Sequence, residues 1–283
     1  MCDKDKIFRI IVQENISEIS KAATYSYTKS YFWWKKIKNV VTLFREEMGN
    51  KGWKVNVLDV GCGNGFNIFY LNSYQGKNKK VFFTGVDLSH SRIFYANERK
   101  KITRTNNINF EVGDAMALSF PEATFDIVIC TEVLEHLPDP KLCVSELFRV
   151  LKPGGLAIIT TPNPENVILK LGRVLKAFHQ MKDEPKITSE YTKDTFNISR
   201  VGYGHISVKS YAEWERLFKI CGFKIEKRKR GGLLFGGPRY DNHRFLFIFI
   251  MLLEIALDRI PFWWNLSEDI TLSLRKPKIP ERT

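Results

Sequence analysis

Nothing in the 283 residues approaches a membrane-spanning run. The longest uninterrupted apolar stretch, Phe245–Leu253, has nine residues, against roughly 20 for a bilayer crossing. Cysteine is scarce as well. Cys2, Cys62, Cys130, Cys143 and Cys221 are odd in number and fall in no paired spacing, which excludes a disulfide-stapled scaffold and implies free thiols in a reducing compartment. The first residues are charged, and the apolar stretch after them is too short for a signal h-region, so a cytoplasmic location is expected. There is no internal repeat and no low-complexity tract. Acidic charge is in deficit: 44 Lys and Arg against 31 Asp and Glu leave a formal +13, and 22 of the basic residues against 13 acidic ones lie in Lys170–Thr283. Either that basic half faces an anion or a membrane surface, or it only keeps a basic protein soluble.

What is present begins with Val55–Gly65, an apolar β-branched run that meets Gly61, Gly63 and Gly65 and is followed from Asn67 by a helical pattern. This reads as a buried strand, a tight turn and a helix start. Glycines there let the backbone approach a ligand, and the turn's amides are expected to point at it. The spacing departs from G-x-G-x-x-G, the dinucleotide form, because Phe66 and Asn67 interrupt it. Further strands are predicted at Val81–Val86, Ile108–Val112, Phe125–Cys130, Leu156–Thr160, Phe223–Arg230 and Ile270–Leu274, with helices between the first five. Strand and helix alternate, so the fold is α/β with a mostly parallel sheet, and a ligand belongs at the carboxyl ends of its strands. Gly61, Asp87, Asp114 and Thr131 fall there. Asp87 suits the two hydroxyls of a ribose, and equally an N-cap for the helix from Ser91. Leu88 suits a wall for a purine ring, and Asp114, with Ala115 beside it, an adenine amino group. Asp139-Pro140 and Ser210-x-x-Glu213 carry helix-start signals.

The domain plan is a helical cap over residues 1–50 and one larger domain over 51–283, with a substrate-side loop at 162–206 and an apolar insertion at 231–264. Residues 5–22 and 167–178 read as helical. The aromatic cluster Tyr25, Tyr27, Tyr31, Phe32, Trp33 and Trp34 is either packing or a lid. The insertion, flanked by Arg228, Lys229, Arg230, Arg239 and Arg244, reads as a surface that dips into an anionic membrane or as a helix packed over the sheet edge.

Val57–Gly65, Asp87, Asp114 and Leu151-Lys152-Pro153-Gly154-Gly155, in this order and spacing, resemble the class I S-adenosylmethionine-dependent methyltransferases. The resemblance is close over residues 56–162. It implies a Rossmann-like seven-stranded sheet whose last strand is antiparallel, with helices on both faces. It also implies a cofactor site of Asp59, Gly61, Cys62, Gly63, Asn64, Gly65, Asp87, Leu88, Asp114, Ala115 and Thr131, the glycine turn contacting the methionine part. The stretch Thr131–Leu137 further resembles ubiquinone-biosynthesis O-methyltransferases and small-RNA 2′-O-methyltransferases. There, glutamate, glutamate and histidine hold a metal, which implies Glu132, Glu135 and His136 here, with His205 as a second histidine. Oxygen and nitrogen ligands of this kind suit Mg²⁺, Mn²⁺ or Zn²⁺.

Two chemistries follow. A metal at Glu132, Glu135, His136 and His205 would lower the pKa of an acceptor hydroxyl; without it, His136 or His205 is the general base. The favoured function is O-methylation of an amphipathic acceptor, a polyprenylated phenol or a lipid-linked glycan. RNA 2′-O-methylation is the second enzymatic reading, with nucleic acid disfavoured because no RNA-binding module is recognisable. A cofactor-binding module without catalysis is the third.

Overall fold

In the computed structural model, residues 27–50, 52, 54–74, 80–164, 206–232, 244–257, 267 and 269–278 are described. Seven strands form one sheet: β1 (Lys54–Val60), β2 (Lys80–Asp87), β3 (Ile108–Val112), β4 (Phe125–Thr131), β5 (Leu151–Pro162), β6 (Lys224–Arg230) and β7 (Asp269–Arg275). Their spatial order is β3-β2-β1-β4-β5-β7-β6. Strands β1 to β5 pair in parallel, and β7 is antiparallel to both β5 and β6. The expected Rossmann-like architecture is therefore present. After β1 the chain builds outward to β3 and then returns to the other side of β1 as β4. The carboxyl ends of β1 and β4 consequently flank a switch point, where a crevice opens.

Among the described residues, six helices accompany the sheet: α1 (Tyr27–Asn50), α2 (Phe66–Asn72), α3 (His90–Thr103), α4 (Pro140–Val150), α5 (Tyr211–Ile220) and α6 (Arg244–Leu257), with a 3₁₀ turn at Leu134–His136. Two apolar clusters lie on opposite faces of the sheet. On one, Leu43 and Phe44 of α1, Ile68 and Leu71 of α2, and Ile93 and Ala96 of α3 pack on Val55, Val57 and Phe83. On the other, Cys143 and Leu147 of α4 and Trp214 and Phe218 of α5 pack on Leu58, Val128 and Leu272. Burying each large apolar side chain contributes about 1.5–3 kcal/mol, so the second half of α1 is a structural layer of the core. The central strands are covered on both sides, which is why β4 reads as a continuous apolar run.

Local signals set the helix starts as expected. Asp139 accepts from Lys141 N at 2.9 Å ahead of α4. Before α5, Ser210 N donates to Glu213 Oε2 at 2.7 Å and Ser210 Oγ accepts from Glu213 N at 3.4 Å, a complete capping box. The cap of α3 is a correction: it is Ser89, whose Oγ accepts from Arg92 N, and Asp87 is left for another role. A second correction concerns β5, which begins at Leu151. Lys152-Pro153-Gly154-Gly155 does end the helix, but the chain stays extended through it, with a register shift against β4 and Gly154 at φ +76°. Cys62, Cys130, Cys143 and Cys221 are free thiols. The predicted helices at 5–22 and 167–178, the side chains of the aromatic cluster, and Cys2 lie outside the described residues, as does most of the substrate-side loop.

Candidate active site

Strand β1 feeds a turn in which Gly61, Gly63 and Gly65 all have left-handed φ, at +72°, +54° and +82°. Space as well as conformation demands glycine at two of them. A Cβ on Gly61 would stand 2.2 Å from Val133 Cγ2, and one on Gly65 would stand 2.6 Å from Phe110 Cζ. A Cβ on Gly63 would meet nothing within 4 Å, so that side of the turn is open. The amides, however, do not point at a ligand as expected. Gly61 N and Cys62 N both donate to the Val86 carbonyl, at 2.7 and 2.9 Å, and Gly65 N donates to Cys62 O. Gly63 N donates to Asp87 Oδ2 at 2.9 Å. The turn is thus fastened to the end of β2, and its glycines serve close approach rather than donation.

Asp87 ends β2 with Oδ1 accepting from Ser89 N and Oδ2 from Gly63 N, both at 2.9 Å. A carboxylate has about four lone-pair sites, so acceptor capacity remains for two hydroxyls. Leu88 beside it is exposed and available as an apolar wall. Asp114 Oδ1 accepts from Met116 N at 2.8 Å, closing a small turn that includes Ala115. Thr131 ends β4, its Oγ1 accepting from Asn67 Nδ2 at 2.8 Å.

Two carboxylates in this region are buried without hydrogen-bond partners on either oxygen: Asp59 on β1 and Glu135 on the 3₁₀ turn, both 0 % exposed. Burial pushes Asp59 up to about 8; the neighbouring Asp87 carboxylate adds to this and the Asn67 amide offsets part of it. Glu135 is pushed up to about 8 by burial and then by Glu132, with its own backbone N–H and Lys36 opposing. Orphaned buried carboxylates are costly. A cationic ligand relieves that cost, and S-adenosylmethionine carries both a sulfonium and an α-ammonium. The residues fit that cofactor: Asp59 would take a positive group of the methionine part, Asp87 the ribose and Asp114 the adenine edge.

A pH dependence follows from Asp59. The folded protein keeps a proton that the unfolded chain loses near pH 4. Stability of the cofactor-free protein is therefore expected to fall as pH rises from about 4 towards 8, and to level off beyond. A cation beside Asp59 favours the ionised form, so cofactor binding should expel a proton. Calorimetric titration with S-adenosylmethionine in buffers of different ionisation enthalpy is expected to show proton release at about pH 7 that vanishes by about pH 9.

Of the predicted metal set, Glu132, Glu135 and His136 lie among the described residues. Among the described residues no group of three or more His, Cys, Asp or Glu is placed to hold an ion. Glu132, at φ +54°, turns its Oε2 to Lys36 Nζ at 2.7 Å and accepts from Thr160 Oγ1 on Oε1 at 2.8 Å. The same ammonium lies 3.1 Å from Asp269 Oδ2. Glu135 is sealed below, and His136 Nε2 stands 4.0 Å from its Oε1, with the imidazole 38 % exposed. A lysine thus already answers the carboxylate that was expected to take a cation. His205 lies outside the described residues; the chain re-enters at Ile206 and Ser207, whose N–H groups both donate to Glu135 O at 2.9 Å. Lys36, Asn67, Thr160 and Asp269 were not singled out in the sequence. No motif marks them, and only the carboxyl-end position of Thr160 was available as a signal.

A sheet of this order, a glycine turn fastened to an acidic strand end and unpartnered carboxylates at the switch point define a class I S-adenosylmethionine-dependent methyltransferase. A methyltransferase-domain family profile matches residues 52–220, and the chain belongs to that family. It is 32 % identical over 180 residues to the demethylmenaquinone methyltransferase of Lactococcus lactis, covering 63 % of this chain and 69 % of that one. To the ubiquinone biosynthesis O-methyltransferase of Coxiella burnetii it is 34 % identical over 138 residues, 49 % of this chain and little more than half, 56 %, of the relative. Of the solved structures, the PH0226 protein from Pyrococcus horikoshii superposes with a TM-score of 0.54 at 25 % identity, covering 90 % of this chain and 95 % of that one.

Proposed function

We propose that this methyltransferase acts on a hydroxyl of an amphipathic acceptor, a polyprenylated phenol or a lipid-linked glycan, with His136 as general base and without a divalent metal. The observation that carries the reading is the position of His136: half-exposed at the carboxyl end of β4, one residue after the buried Glu135 and next to the glycine turn through Val133. Bound S-adenosylmethionine supplies a methyl group already activated by the sulfonium charge. The chain's own work is then to orient the acceptor oxygen and remove its proton. His136 Nε2 takes that proton. Lys36 keeps Glu132 turned away from the transfer path. The quinone-type names of two relatives support the choice of an amphipathic acceptor.

The test is transfer of label from methyl-labelled S-adenosylmethionine to lipid, polysaccharide, RNA and small-molecule fractions of the source cells, with and without EDTA. Label in the lipid or polysaccharide fraction that EDTA leaves unchanged is expected. Loss of transfer with EDTA overturns the metal-free mechanism. Label in RNA, the outcome that the net charge of +13 favours, overturns the acceptor class. In the responding fraction, His136→Ala should lower turnover about 100-fold or more while cofactor affinity is kept.

A further inference from the structure

Among its described side chains, helix α6 turns its charge inward and apolar residues outward. Its one acidic residue, Glu254, is fully buried: Oε2 accepts from Lys35 Nζ at 3.0 Å and lies 3.7 Å from Arg230 NH1, and its carbonyl accepts from Arg230 NH2 at 2.9 Å. Both cations are themselves only 6 % exposed at the side chain. Meanwhile Ile248, Phe249, Leu252 and Ile255 are 48, 63, 58 and 48 % exposed. The spacings of three and four residues put them on one face. A helix on the surface of a globular protein normally has the opposite polarity, apolar inward and charged outward. Contiguous exposed apolar surface of this kind marks a contact.

Its chemistry selects the partner. The outward face carries aliphatic side chains and one phenylalanine. Its described residues include none of the Trp, Tyr and Arg anchors, nor the polar groups, that protein–protein interfaces use for specificity. Fourteen residues span about 21 Å along the axis and cannot cross a bilayer, and the buried Lys35–Glu254–Arg230 cluster ties the helix, through Glu254, to α1 and β6. An apolar outer face too short to span, on a chain of net charge +13 with 22 basic against 13 acidic residues from Lys170 onward, matches an anionic lipid surface. We propose that the outward face of α6 seats this methyltransferase on such a surface. The docking does not depend on the acceptor assigned above, but it has a consequence for it. Lys35 grips Glu254, and the next residue, Lys36, grips Glu132 and Asp269. One turn of α1 therefore joins the lipid-facing helix to the acceptor end of the site, and a lipid-borne acceptor would enter there.

The experiment is co-sedimentation of the full chain with vesicles of phosphatidylcholine alone or mixed with phosphatidylglycerol, at low and high salt. Binding to the mixed vesicles is expected, weaker at high salt and absent or at least tenfold weaker with phosphatidylcholine alone. Phe249→Gln/Leu252→Gln keeps the charge and should lower partitioning at least tenfold, with unchanged helical content and unchanged S-adenosylmethionine binding. The single variant Phe249→Gln should show an intermediate loss. Failure of the wild-type chain to bind mixed vesicles, or equal binding by the double variant, overturns the proposal. So does a wild-type dimer, seen by light scattering, that the double variant converts to monomer, since a second copy would then be the occupant. Retained cofactor binding throughout separates any of these failures from a failure of the methyltransferase reading.

Discussion

Asp87→Ala is expected to weaken S-adenosylmethionine binding about 100-fold and to lower stability as well. The first effect comes from the ribose: hydrogen bonds to a charged acceptor contribute about 1.5–3 kcal/mol each, and two hydroxyls are involved. The second comes from the protein itself. Asp87 accepts from Gly63 N and Ser89 N, and truncation leaves both donors without that partner at about 1–3 kcal/mol apiece where water cannot reach them. Because Gly63 lies in the middle of the turn, its loss of anchorage also lets the turn move away from β2. The same substitution removes a negative charge near Asp59, whose carboxyl Asp87 helps to push up, so proton release on cofactor binding should shift to lower pH. Calorimetry measures both the affinity and the proton count. An affinity within threefold of wild type would remove Asp87 from the cofactor site. Asp87→Asn keeps one acceptor oxygen and the shape, and should recover part of the loss.

The legible part of this molecule was the part written locally. Gly61 and Gly65 announce themselves because a tight turn after a buried strand restricts residue type through sterics, Asp87 because it is an acidic residue at a strand end, and Asp139-Pro140 and Ser210-x-x-Glu213 are capping chemistry completed within four residues. What the turn's amides do was not legible. Their acceptor, the Val86 carbonyl, belongs to the neighbouring strand and becomes visible only with the register of β1 against β2. The Glu132–Glu135–His136 stretch read as a metal cluster because spacing brings carboxylates together without saying what else arrives. What arrives is Lys36 from the first described helix and Asp269 from the start of the last strand. A lysine beside aromatics in a helix otherwise reads as a solvated charge. For helix α6 the sequence leaves a membrane-facing surface and a helix packed over the sheet edge both open, and the long-range contacts of Glu254 with Lys35 and Arg230, which bury its one glutamate, are not written locally.

Lys36→Met should be the most damaging substitution outside the cofactor site, costing about 3–5 kcal/mol of stability at neutral pH. The ammonium is 14 % exposed, and it sits between Glu132 Oε2 and Asp269 Oδ2 at 2.7 and 3.1 Å. Burial pulls its pKa down, but the two carboxylates outweigh that and hold it above the usual lysine range. Methionine fills a similar volume and removes the charge, leaving two acidic groups close together in a site where Asp269 is only 5 % exposed. Burial already pushes the Asp269 carboxyl up, and Lys36 is the first influence opposing it. In the variant that opposition is gone, so Asp269 should hold its proton to higher pH. The sign follows: protonating one carboxylate abolishes the repulsion, so the gap to wild type should shrink as pH falls from about 7.5 to 5.5. Lys36→Arg retains the charge and should keep most of the stability, while its planar fork cannot satisfy both oxygens in the same geometry. Denaturant titration of the three proteins at the two pH values decides the matter. A Lys36→Met variant within about 0.5 kcal/mol of wild type at both would mean that the ammonium is an exposed charge of no consequence, and Glu132 would return to the list of groups available to a cation.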